Sequence, residues 1–456
     1  MDSFLPIGAK RMRKPLYFSF LFSIQLLALF FYNQPQANTL TIQGSNTIGA
    51  KLAPALVSSY LKSIGADGVE YSPKAENESQ ITAKLNSADS TRSSHVVIDI
   101  AAHGSSTGFA ALKLGKADIA AASRPAKTKE IDQLSHMTKL TDRGSEHIVG
   151  IDGLAIIVHP DNQLTEMDVQ QIADIYSGKI SNWSELGGHS GTITLYARDN
   201  KSGTWDSFKR MVLGKSKLDA SALRFESNDE LSDKVSEDRN AIGFVGLPSV
   251  RQSKLLAISD GSGKALKPNQ LTIGTEDYAL SRRLYFYTDD DPENKHVMPF
   301  MQYVQSVEGQ KIVSENGFIA QHLHVVKPKN YAELPLAFQL MAGEGERLTV
   351  NFRFKKGSAK LDNRALQDIE RLVDFSKQNP DQKLILIGFG DPKKSKDRSQ
   401  LLSKLRAMAV RRELVKQGVY PKHNYGYGEQ LPVASNDREA GRVKNRRVEV
   451  WLSTVR

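Results

Sequence analysis

The 456-residue chain contains no cysteine. That excludes disulfides, thiolate metal sites, cysteine nucleophiles and a lipid-modified N-terminal cysteine, and it is neutral about compartment. The ten histidines show no ligand spacing. His322 and His324, two apart, can share one face of a strand but lack a third partner, so no metal and no cofactor is expected. Tryptophan is scarce, at three residues, and Trp183 and Trp205 stand beside helix starts, where packing is the expected role. Aromatic residues do not interleave with basic ones and no nucleic-acid-binding module is recognisable, so nucleic acid is not expected as a partner.

What is present describes an ordinary globular protein, with 40% hydrophobic and 25% charged residues. Its length predicts two or three domains. The net charge of +10 is unevenly placed: residues 347–456 hold 25 basic and 12 acidic side chains, whereas residues 38–346 are net acidic. At the other end Lys10, Arg11, Arg13 and Lys14 precede an apolar run from Leu16 to Tyr32, followed by the small residue Ala37. That order is a secretory signal over residues 1–37, so the chain is expected to be exported, with an uncleaved membrane anchor as the alternative.

Between residues 38 and 326, strand-like and helix-like runs alternate: Thr39–Gln43, a helix from Ala50 to Lys62, Val96–Ala101, a short helix from Phe109, and Gly153–Val158. The alternation predicts an α/β architecture, and the length predicts two lobes. The polar segment Gly65–Ser94 reads as a mobile insertion. Three turns share one chemistry. Gly44-Ser45-Asn46-Thr47-Ile48-Gly49 and Gly104-Ser105-Ser106-Thr107-Gly108 each join a strand to a helix, and Arg198 precedes Ser202-Gly203-Thr204 before a helix expected to begin at Trp205 and stop at Gly214. Helix N-termini offer free N–H groups and a positive dipole end, while Ser45, Thr47, Ser105, Ser106, Thr107, Ser202 and Thr204 add hydroxyls and Arg198 a fixed charge. Together they predict an oxyanion cradle. The middle turn also fits G-x-S-x-G, so a secreted serine hydrolase using Ser106, with His147 downstream, is the alternative from the enzyme class.

Residues 39–325 resemble the phosphate-binding protein family of ABC importers. The matching text is Gly44-Ser-Asn-Thr47, Gly104-Ser-Ser-Thr-Gly108, Gly115-Lys-Ala-Asp-Ile-Ala120 with Ser123-Arg-Pro125, Ile175-Tyr-Ser-Gly-Lys-Ile-Ser-Asn-Trp183, Arg198-x-x-x-Ser-Gly-Thr204, Ala241-Ile-Gly-Phe244 and Glu308-Gly-Gln-Lys-Ile312. The resemblance implies a two-lobed periplasmic-binding-protein fold of type II and no enzymatic activity. It implies inorganic phosphate or a related oxyanion as ligand, Thr47 and Ser105 donating from one lobe, and Arg198, Ser202, Gly203 and Thr204 donating from the other. An ABC permease is the implied partner and a monomer the implied state. Where phosphate binders of this family often carry an aspartate, Ser123 stands with Arg124 beside it.

Residues 327–346 read as a linker, with Lys327-Pro-Lys-Asn, Pro335 and Gly343-Glu-Gly. Beyond it Leu348, Val350, Phe352 and Phe354 alternate as a half-buried strand, Leu366, Ile369 and Leu372 fit a helix, Leu384–Phe389 reads as a buried strand, Leu401–Gln417 as a second helix, and Arg447–Leu452 as a last strand. This predicts a small β-α-β-α-β domain over 347–456. It resembles the OmpA-like peptidoglycan-binding domain in Phe354-x-x-Gly-Ser-Ala-x-Leu361, Gly388-x-x-Asp391, Leu402-Ser-x-x-Arg406-Ala407, Gly426-Tyr-Gly428 with Pro432-Val-Ala-Ser-Asn436, and Gly441-Arg-x-x-Asn445-Arg-Arg-Val-Glu449. In that family the Asp takes the ammonium, and the Arg the carboxylate, of diaminopimelate in the peptide stem. These roles fall on Asp391 and Arg406, with Phe389-Gly390 and Ser399 as departures. Arg446 and Arg447 are expected as fold-supporting and surface charges. The whole chain is thus expected to be a periplasmic solute-binding protein tethered to peptidoglycan, or else a cell-envelope sensing or structural protein.

Overall fold

A computed structural model describes residues 38–86, 93–261, 263–328, 331–392 and 395–454. The expected signal, residues 1–37, lies outside the described residues. The first lobe is built on β1 (Asn38–Gly44), β2 (Ala66–Ala75), β3 (Glu78–Asn86), β4 (Ser93–Ala101) and β5 (Ile119–Ala122). β6 (Glu146–Val158) runs thirteen residues and leaves it for the second lobe. There it pairs with β10 (Ala241–Gly246) and the short β11 (Lys254–Leu255), the sheet continuing through β8 (Thr194–Arg198) to β9 (Leu223–Phe225), while β7 (Glu166–Asp168) pairs with β12 (Ala257–Ser259). β13 (Ser281–Tyr287) returns to the first lobe, and the strand order is β2-β3-β4-β1-β5-β13-β6-β10-β8-β9. β6 pairs with β13 through Glu146–Gly153 and with β10 through Leu154–Val158, so one strand carries both lobes. Strands buried on both faces are apolar throughout rather than alternating. β5 is accordingly Ile-Ala-Ala-Ala and fully buried, as is most of β6, where Asp152 interrupts the run.

The segment expected as a mobile insertion is, over its described part, a β-hairpin turned at Asn77 (φ 57°) and paired to the sheet edge. Ile81 and Ala83 are buried, and Ala66, Val69 and Leu85 pack partly on the core; the polar residues that suggested mobility occupy the solvent side. Its residues 87–92 lie outside the described set. Two helices begin earlier than expected. Ser105–Lys113 starts four residues ahead of Phe109, with Gly104 as N-cap, and Gly203–Phe208 starts ahead of Trp205 because Ser202 caps it, accepting from Thr204 N (3.1 Å) and Trp205 N (3.3 Å). Trp183 and Trp205 are packing residues, both buried.

The C-terminal sheet has order β14-β15-β18-β16-β17, from β14 (Val325–Val326), β15 (Arg347–Arg353), β16 (Gln382–Gly388), β17 (His423–Gly426) and β18 (Arg447–Thr454). It therefore carries two strands beyond β-α-β-α-β. Helices Asn363–Gln378 and Lys396–Lys416 pack on the face formed by Leu348, Val350, Leu384 and Leu386. The expected linker is a correction: its helix Leu336–Ala342 covers the opposite face through Phe338 and Ala342, against Ile385, Ile387, Phe389 and Trp451. With both faces covered, β16 reads Leu-Ile-Leu-Ile without alternation.

This domain is docked on the lobes by ion pairs, buried at Asp277 and partly exposed at Asp362 and Arg438. Asp277 meets Arg353 at 2.6 Å and Arg347 at 3.1 Å, Arg283 reaches Asp362 at 2.8 Å, and Arg438 meets Asp260 at 2.5 Å.

Candidate functional site

The three turns and the residues after β5 converge where the lobes touch. Thr47 Oγ1 lies 3.0 Å from Thr204 Oγ1, across the interface. Gly203 abuts Ser105 and Ser123 so closely that a Cβ there would stand 2.0 Å from Ser105 Oγ and 2.5 Å from Ser123 Oγ. Ser105 Oγ accepts from Ser123 N (3.1 Å), while Ser123 Oγ is buried with no hydrogen-bond partner. Gly104, at φ 120°, likewise faces Lys201 O, which a Cβ would meet at 2.2 Å. Close backbone approach across the cleft is what these two glycines permit.

Arg198 leaves the end of β8 and is buried. Its Nε donates to Phe225 O at 3.2 Å, Nη1 to Asn228 Oδ1 and Nη2 to Glu226 O. Burial pulls its pKa down to about 10, and neighbouring Arg282 adds to that effect. Asn228 Nδ2 also reaches Asn46 Oδ1 (3.3 Å) and Thr47 Oγ1 (3.5 Å), joining the Arg198 side to the first turn. Ser45 is buried behind that turn, its carbonyl accepting from Gly49 N at 2.7 Å.

Not every expected hydroxyl is aimed into the cradle. Thr107 Oγ1 donates to Gly104 O (2.8 Å) and closes its own turn, and Ser106 Oγ accepts from Arg124 Nη2 (3.2 Å). Arg124 is in turn held by Glu130 (2.6 Å) and, from the other lobe, Asp206 (2.9 Å). His147, the histidine a hydrolase would need, bonds Thr288 Oγ1 at 3.1 Å, and burial pushes its pKa down to about 4. Lobe closure is further spanned by Lys51–Asp229 (2.6 Å), by Ser207 Oγ donating to Ser123 O (3.1 Å), and by His103, which touches Glu226 at 3.0 Å and Glu78 at 2.9 Å. Burial works to lower the His103 pKa, but the two carboxylates outweigh it and raise it.

Sequence reasoning missed Asp152 and Arg282, a buried ion pair at 2.6 Å in which Arg282 Nη2 also lies 3.4 Å from Thr47 Oγ1. One signal was available: an aspartate inside the apolar run Ile148–Val158 requires a buried partner.

In the C-terminal domain Asp391 and Arg406 are both buried. Arg406 Nη1 donates to Phe389 O (3.2 Å), and its guanidinium lies 5.9 Å from the Phe354 ring centre. Burial lowers its pKa and Asp391 opposes that. Arg446 and Arg447 correct the surface-charge expectation, since both are buried. Arg446 bonds Asp391 Oδ2 (3.1 Å) and Phe354 O (3.1 Å), and Arg447 stacks 3.8 Å from the Phe389 ring centre while bonding Glu449 (2.8 Å).

The PBP superfamily domain matches residues 74–308, just over half of the chain, and the OmpA family matches residues 353–446. The phosphate-binding protein PstS of Staphylococcus saprophyticus is 30% identical over 311 residues, which span 64% of this chain and 91% of that protein. The chain belongs to the PstS-like phosphate-binding family. A second PstS, from Borreliella burgdorferi, is 29% identical over 48% of this chain and 77% of its own length. A solved structure of a putative phosphate ABC transporter substrate-binding protein with bound phosphate, from Clostridium perfringens, is 24% identical and overlays with a TM-score of 0.47, covering 62% of this chain and 99% of that one. This PstS-like chain also carries an OmpA family domain at residues 353–446.

Proposed function

We propose that this chain captures inorganic phosphate between its lobes as a non-enzymatic, exported solute-binding protein, and that its C-terminal domain tethers it to peptidoglycan in the periplasm. The observation that carries the ligand reading is the meeting of Gly203 with the Ser105 and Ser123 hydroxyls. Donors from both lobes are thereby gathered at one buried point beside Arg198, and the orphaned Ser123 hydroxyl gains a partner when an oxyanion is bound. Thr47, Ser105, Ser123 and Thr204 supply hydroxyls, Ser202 and Gly203 form the helix N-terminus, and Arg198 supplies charge. Closure is hinge-like, with β6 and β13 as the strands that connect the lobes, and the anion bridges both sides. An ABC permease would then receive the ligand from a monomeric binding protein.

The tether reading rests on Asp391 and Arg406, one group of each sign beside the apolar Phe354 ring, suited to the zwitterionic end of a stem peptide. Because Arg446 already holds Asp391 at 3.1 Å, the carboxylate is fixed in place and its charge partly offset. The expected result is that the full chain pellets with purified sacculi and that the Asp391→Ala, Arg406→Ala double variant stays in the supernatant. Co-sedimentation unchanged by the double variant would remove the tether.

A further inference from the structure

We propose that Arg282 is a second guanidinium ligand of the bound anion, donating through its Nη1–Nη2 edge while Asp152 holds it in position. The proposal rests on the reading of the cradle as an anion site. Arg282 and Asp152 are directly opposed across the β13–β6 ladder, so their side chains share one face of the sheet. Asp152 Oδ2 accepts from Arg282 Nε (2.9 Å) and Nη2 (2.6 Å), and Oδ1 accepts from Leu247 N (3.0 Å). That fork occupies one edge of the planar guanidinium. The second edge, formed by Nη1 and the remaining N–H of Nη2, is turned toward Thr47, whose Oγ1 stands 3.4 Å from Nη2. Nη1 itself is buried and has no hydrogen-bond partner.

Arg347, Arg353, Arg364 and Arg447 also bury a guanidinium nitrogen without a hydrogen-bond partner, but Arg282 is the one beside Thr47, where a ligand oxygen would satisfy it. Three further observations bring the Arg282 side chain beside Thr47. A Cβ on Gly246 would meet Asp152 Oδ2 at 2.9 Å, Arg282 Nη2 at 3.3 Å and Thr47 Cγ2 at 3.4 Å, so the three side chains converge on one point. A cleft lined by Asn46, Thr47, Asn228 and Gly246 runs beside it. The charge of Arg282 is felt at Arg198, so the two guanidiniums are close enough to repel, and an anion between them relieves that repulsion.

The pairing also bears on which anion is held. Both oxygens of Asp152 are engaged by donors, so this carboxylate steadies Arg282 and is not an acceptor for a proton on the ligand. Two guanidiniums flanking Thr47 put positive charge on that side of the cradle, as an oxyanion requires.

The test is calorimetric titration of the full chain with inorganic phosphate, in wild type and Arg282→Lys. Lysine keeps the charge and can pair with Asp152, but it cannot present a second edge. We expect the phosphate Kd to rise about tenfold or more in an Arg282→Lys protein that remains folded. A folded Arg282→Lys protein with the wild-type Kd overturns the proposal. Should the variant fail to fold, the crystal structure of the wild type with phosphate decides: a phosphate oxygen within hydrogen-bond distance of Nη1 is expected, and a phosphate with no oxygen near Nη1 overturns it. Wild type that binds no phosphate sinks the parent reading, whereas wild type that binds while Arg282→Lys binds equally sinks only this inference.

Discussion

Gly203→Ala is expected to weaken phosphate binding by about 100-fold while leaving each lobe folded, the loss corresponding to about 2–3 kcal/mol of lobe-bridging contacts. The substitution is mild for the backbone. Gly203 opens a helix and is absent from the positive-φ glycines, and alanine is the better helix former. Its cost arises only when the lobes meet. The new methyl carbon would stand 2.0 Å from Ser105 Oγ and 3.0 Å from Ser105 Cβ, distances that side chains do not tolerate. Ser105 cannot simply rotate away, because its hydroxyl accepts from Ser123 N and the residue is fully buried. The lobes must therefore stay further apart, and the donors of Arg198 and Thr204 lose their alignment with those of Thr47 and Ser105. Calorimetry reads the affinity, and small-angle scattering reads whether phosphate still compacts the protein. A variant that binds within about threefold of wild type would contradict the lobe-bridging site.

Asp277→Ala is expected to cost about 3 kcal/mol or more of stability, because removing one partner of a buried ion pair leaves the other uncompensated. Two guanidiniums depend on this carboxylate, Arg353 at Oδ1 and Arg347 at Oδ2, and Asn351 and the Thr275 hydroxyl complete its shell at 3.1 Å and 3.0 Å. Arg347, Arg353 and Asn351 all lie on β15 of the C-terminal sheet. The substitution should accordingly uncouple the domains, splitting one calorimetric transition into two.

Acid should do the same. Burial acts to raise the Asp277 pKa, yet Arg347, Arg353 and Arg447 hold it well below the usual carboxylate range, and Arg283 and Arg364 do so for Glu276. A folded-state pKa below the unfolded value of about 3.9–4.3 means that this contribution is complete above that range and is lost as pH falls below it. The share of docking held by Asp277 and Glu276 is thus expected to be insensitive to pH from neutral down to about 5 and to weaken only in stronger acid. A single transition in Asp277→Ala at the wild-type temperature would contradict the role given to this carboxylate.

Much of this was legible in the sequence because the signals are local. Hydroxyl-rich, Gly-containing turns between a strand and a helix, such as Gly44–Gly49 and Gly104–Gly108, are contiguous in the chain, so the cradle's parts were readable before the lobes were seen to bring them together. The Arg446 partner of Asp391 was not readable, since the two lie 55 positions apart and their meeting depends on how β16 and β18 pair. The hairpin Ala66–Asn86 was misread for a different reason. At the edge of a sheet an apolar residue is needed only on the covered side, and the polar remainder resembles a loop by composition. The segment 327–346 deceived in the same way: its prolines and glycines mark turns, while Phe338 and Ala342 between them are fully covered by β16 and β18. Arg282 was hidden by its neighbour. Ser281-Arg-Arg283 looks like one basic patch, but strand alternation sends Arg282 toward Thr47 and Arg283 toward Asp362, serving the cradle and the domain interface respectively.

The most direct test is titration of the full-length protein, freed of endogenous ligand, with phosphate, sulfate and molybdate in parallel. Saturable binding of phosphate at one site per chain, tighter than that of the other two anions and weakened about 100-fold by Gly203→Ala, is the predicted result. No heat and no compaction with any of the three would contradict the account.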